Sequence, residues 1–101
     1  MQMVLIRLSP SPAAGVKVLS PEVAVDILWA AATPEDRLEH IRARHGPTKN
    51  DIDIALFHKD MKAAVHSEPA VNAALRLCHR AISVAPVLGG WLAEFRGQPR
   101  P

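Results

Sequence analysis

Apolar and polar residues alternate along four stretches of this chain and recur at helical spacing along two. Residues 2–8 set Gln2, Val4, Ile6 and Leu8 on one side and Met3, Leu5 and Arg7 on the other. Both sides are largely apolar, as in a strand inside a sheet. Residues 9–20 hold Pro10, Pro12 and Gly15 and read as a loop, with Val16, Val18 and Leu19 as candidate anchors. Ser20-Pro21-Glu22 then opens a helix to about Ala32: a capping hydroxyl, proline in the first turn, and an acid near the positive helix end. Val23, Ile27, Ala30 and Ala31 make its apolar stripe, widened by Ala24 and Leu28.

The most informative stretch runs from Leu38 to Phe57. Folded about Gly46-Pro47-Thr48-Lys49 with His45 opposite Asn50, it faces Ile41 with Ile54 and Ala43 with Ile52. The other side then matches Arg42 with Asp53, Arg44 with Asp51 and Leu38 with Phe57. Apolar pairs on one face and opposite charges on the other are what cross-strand pairing favours. A competing signal lies in Thr33-Pro34-Glu35-Asp36, a good helix start from which Leu38, Ile41 and His45 continue at helical spacing to Gly46. That reading leads to an all-α bundle. The strict alternation of Asp51-Ile52-Asp53-Ile54 favours the hairpin, with the Thr33–Asp36 segment as a turn before it.

Residues 58–67 read as a polar, partly helical connection. From Glu68 or Pro69, Val71, Ala74, Leu75, Cys78, Ala81 and Ile82 mark one face of a second helix, with Asn72, Arg76, His79, Arg80 and Ser83 opposite. Pro86 and Gly89-Gly90 stop it, and residues 91–96 alternate as a last strand. The order strand, helix, strand, strand, helix, strand resembles the ferredoxin-like βαββαβ two-layer sandwich, an α+β fold with a four-stranded antiparallel sheet. Right-handed crossovers would put strands 1 and 3 in its centre. Residues 1–96 then form one domain and 97–101 a flexible tail.

Composition limits the partners. The chain has 101 residues, 49% of them apolar and 4% aromatic, so a single core must rest on aliphatic residues and alanine. A net charge of +2 is too mild to argue for nucleic acid, and Phe57 is the one aromatic placed to stack a base. One cysteine permits no internal disulfide and fits a reducing compartment. Met1–Leu8 has no basic leader and a short apolar run broken by Arg7, so a cytoplasmic protein with no membrane span is expected. His40, His45, His58, His66 and His79 have no metal-site spacing, and no cofactor motif is present. Cys78 reads as a core residue, and Arg76, His79 and Arg80 as a solvated face.

What remains is the sheet face away from the helices. It would carry Met3, Leu5, Arg7, His40, Arg42, Arg44, Asp53, Ala55, Phe57, Leu92 and Glu94. Met3, Leu5, Phe57 and Leu92 would make it semi-apolar, the character of an interaction surface. Leu5, His40, Arg42, Asp53, Phe57 and Leu92 are therefore the candidate binding residues. The expectation is a small non-catalytic accessory protein, a homodimer using this face or the strand edges at 38–45 and 91–96 to bind a protein or peptide. The architecture also resembles dimeric α/β-barrel enzymes that hold a small hydrophobic or aromatic metabolite; His40, Arg42, Asp53 and His58 would then be the polar groups to test.

Overall fold

The computed structural model describes residues 2–12, 18–48, 50–59 and 68–98. The elements are β1 (Gln2–Pro10), α1 (Pro21–Ala31), β2 (Leu38–His45), β3 (Ile52–His58), α2 (Glu68–Val84) and β4 (Trp91–Gly97), with one-turn 3-10 helices at Pro34–Asp36 and Pro86–Leu88. The strands form one antiparallel sheet in the order β2-β3-β1-β4. This is the ferredoxin-like two-layer sandwich, with β1 and β3 in the centre. The interior of residues 9–20 and the connection at 60–67 lie largely outside the described residues.

Local chemistry explains the element ends. The Ser20 hydroxyl accepts a hydrogen bond from the Val23 amide at 3.2 Å, capping α1 where proline follows. The helical reading of residues 34–45 is overturned at Arg37. Its φ of 50° and ψ of 40° place it in the left-handed region, which closes the Pro34–Asp36 turn and releases the chain into β2. At the other end of the chain β4 runs to Gly97, which the sequence assigns to the tail.

The β2–β3 register differs from the expected one by two residues. Ile41 faces Leu56, Arg42 faces Ala55, Ala43 faces Ile54 and Arg44 faces Asp53. Because side chains alternate with period two, the shift changes every partner and leaves residues 40–45 on their expected faces. The cause is a longer loop: the Gly46 amide bonds the Asp51 carbonyl at 2.7 Å, so the connection spans residues 46–51. Only glycine fits there, since a Cβ on Gly46 would sit 2.7 Å from that of Asp51. A bulge between Leu38 and His40 then sets Leu38 opposite His58, and Leu38 packs on the core and not on the open face.

The core lies between sheet and helices. Val4, Ile6 and Leu8 of β1 and Ile52, Ile54 and Leu56 of β3 are fully buried against Ala24 and Leu28 of α1 and Ala74, Leu77, Cys78 and Ala81 of α2. The α1 stripe is rotated from its expected centre: Pro21, Ala24 and Leu28 are buried, whereas Val23 and Ala30 are exposed. Of the candidate loop anchors, Leu19 is buried and Val18 exposed. Burial pushes the Cys78 thiol up to about 12, which keeps it protonated and unreactive.

Candidate functional site

The open face is built from three cross-strand rows. Met3, Phe57 and His40 form one, and Leu5, Ala55 and Arg42 the next. The third runs Glu94, Arg7, Asp53, Arg44, alternating in charge across all four strands. The small Ala55 side chain makes the middle low, and the arginines around it stand tall. The result is an open dish of about 580 Å³ lined by Met3, Leu5, Arg7, Arg42, Arg44, Asp53, Ala55, Phe57 and Arg96.

Electrostatics divide this dish. Arg7 donates from Nε to Asp53 Oδ1 at 2.8 Å. That hydrogen bond, with the nearby negative charges, holds the Arg7 guanidinium above its ordinary pKa despite the opposing effect of burial. Arg96 Nη1 donates to Glu94 Oε1 at 2.7 Å. Among the described residues Arg42 and Arg44 meet no carboxylate at ion-pair distance, so the β2 side of the dish is a local cationic rim above an apolar floor.

The six candidate residues are distributed unevenly. Leu5, Arg42, Asp53 and Phe57 line the dish. His40 stands at its edge with its ring 5.6 Å from that of Phe57. Leu92 is on the same face, opposite Ser9, 61% exposed and outside the dish. Asp53 engages Arg7 of β1, not Arg42 of β2. Reversing either charge should lower the melting temperature, and the exchange Arg7→Asp with Asp53→Arg should recover most of the loss. No rescue in thermal melts of the double variant would exclude that pairing.

His58 belongs to the other side of the sheet. It is fully buried, and its Nδ1–H donates to the Asp36 carbonyl at 2.7 Å. It cannot share a site with Asp53 and Arg42, so the four polar groups suggested for catalysis are split by the sheet. Below it, the 2% exposed Asp36 carboxylate accepts from the Thr33 amide at 2.8 Å, the Thr33 hydroxyl at 3.2 Å and Arg80 at 3.3 Å. Arg80 also donates to the Ala31 carbonyl at 3.2 Å, which ties α2 to the end of α1. Arg80 is thus turned inward, away from the solvated face expected for it.

Sequence reasoning did not single out Arg96. The alternation Leu92, Glu94, Arg96 carried that signal, and Arg96 lines the dish at the point where the β1–β4 pairing is bulged. Among the described residues no three His, Cys, Asp or Glu side chains gather as metal ligands, and no helix is long and apolar enough to cross a membrane. Comparison with family models, with curated proteins and with solved structures gave no match.

Proposed function

We propose that this protein is a small non-catalytic binding or accessory protein whose open sheet face takes an acidic, partly apolar segment of a protein or peptide partner. The observation that carries this reading is the pairing of Arg42 and Arg44, which meet no acidic partner among the described residues, with the floor of Met3, Leu5, Ala55 and Phe57. A sheet face that only meets water is normally dominated by polar residues. This one offers apolar contact and unmatched positive charge side by side, a combination suited to carboxylates alternating with apolar side chains. Among the described residues the ionisable groups lining the dish are arginines and Asp53, whose carboxylate is already engaged by Arg7.

The test is fluorescence anisotropy with labelled peptides alternating Glu with Leu, against peptides alternating Lys with Leu. The acidic set should bind, and the variant Arg42→Glu/Arg44→Glu should bind it about tenfold more weakly, the worth of two exposed charge pairs. Equal binding of both sets, or no effect of the reversal, rejects the proposal. The dish volume supports a second reading, a small enzyme acting on a hydrophobic or aromatic metabolite, because about 580 Å³ lies in the range of small-molecule sites. Saturable binding of benzoate without peptide binding would favour it.

A further inference from the structure

The sheet has two edges, and their side chains treat a second copy of the chain differently. On β2 the open-face positions are His40, Arg42 and Arg44. An antiparallel match of β2 with itself centred on Arg42 or on Ala43 sets arginine against arginine. Such an edge rejects its own copy. On β4 the open-face positions are Leu92, Glu94 and Arg96, and Phe95, 42% exposed, lies on the opposite face at the rim of the sheet.

A symmetric pair of antiparallel strands has a twofold axis through one residue, because directly opposed residues must share a face. Four residues near the middle of β4 can occupy that position. Centring on Ala93 faces Leu92 with Glu94. Centring on Glu94 or on Arg96 confronts like charges at the axis. Centring on Phe95 sets Glu94 of each chain against Arg96 of the other and Phe95 against Phe95; Gly97, opposite Leu5 beyond the bulge, lies outside this matched triplet. We infer that β4 is a self-complementary edge, and that two copies join through it about an axis at Phe95 into a continuous eight-stranded antiparallel sheet.

Three features support this partner over others. Among the described residues no strand covers the outer side of β4, which ends the strand order. Main-chain hydrogen bonds supply affinity in strand addition, and alternate side chains supply register. Glu94 and Arg96 already lie within 2.7 Å on one strand, so the paired edge forms a closed four-charge cluster with no surplus of either sign. Phe95, poorly covered in the single chain, gains an identical ring as its cover. The interface is isologous and closes at two copies. The two dishes lie on the same side of the joined sheet, and because Arg96 belongs to both the seam and the dish lining, the readout of the test is association and not peptide binding.

Light scattering during gel filtration, over a dilution series, tests the inference. The unmodified chain should show twice its single-chain mass at high concentration. Glu94→Arg places two arginines at each seam position pair, and Arg96→Glu places two glutamates there. Each variant alone should dimerise roughly tenfold more weakly, and an equimolar mixture of the two should recover a dimer. Both side chains are solvent-facing, so each variant should keep the far-UV circular dichroism spectrum of the unmodified chain. A single-chain mass at every concentration overturns the inference. So does a dimer indifferent to both reversals, or a mixture that fails to pair. Retained dimer in Arg42→Glu/Arg44→Glu separates this seam from contact through the dish.

Discussion

Leu56→Ala is expected to remove about 3 kcal/mol of folding stability, the usual cost of emptying a fully buried leucine site. Leu56 sits at the centre of β3, facing Val4 of β1 on one side and Ile41 of β2 on the other, so three strands lose a shared contact at once. In a chain of this size total stability is roughly 5–15 kcal/mol, and the loss corresponds to a melting temperature lower by roughly 15 °C. Phe57→Ala, one residue further and half-buried on the dish, should cost clearly less. Urea and thermal unfolding measure both. A Leu56 variant no less stable than the Phe57 variant would contradict the assignment of faces on β3.

Asp36→Ala is expected to cost about 2 kcal/mol, for a different reason. The carboxylate is buried, and removing it strands the Thr33 amide without its acceptor and cuts the tie to Arg80. Arg80→Met should cost less, about 1 kcal/mol, because its side chain is one-third exposed and water screens much of the pair. The double variant should be more stable than the sum of the two losses predicts, since both break one shared contact. Strict additivity in denaturant titrations would show that Arg80 and Asp36 act independently. An Arg80 variant worse than the Asp36 variant would place the stabilising centre in the guanidinium instead.

Both results bear on what the residue pattern could reveal. The sidedness of the hairpin was legible because Ile-Asp-Ile alternation states which face is apolar. The register was not, because that alternation repeats every two residues and a two-residue slip preserves it. The loop geometry decides it, through the close approach of Gly46 to Asp51. Asp53 shows the same limit: two arginines of β2 stood near it in the sequence pattern, yet it engages Arg7 from a strand 46 residues away. Asp36, His58 and Arg80 come from three segments that meet only in the folded chain. Read singly, they looked like a turn acid, a histidine opening a polar connection and a surface arginine. The stripe of α1 was blurred by alanines, which fit an exposed or a buried helix position equally well.

The strand order has a consequence for the making of the protein. β1 leaves the ribosome before the other three strands of the sheet, yet both its neighbours, β3 and β4, come later in the chain. Val4, Ile6 and Leu8 must therefore wait for their partners, and one side of β1 stays unpaired until residues 91–97 have been synthesised. The β2–β3 hairpin needs only its own short loop and is expected to form first, offering the β3 edge to which the waiting strand pairs.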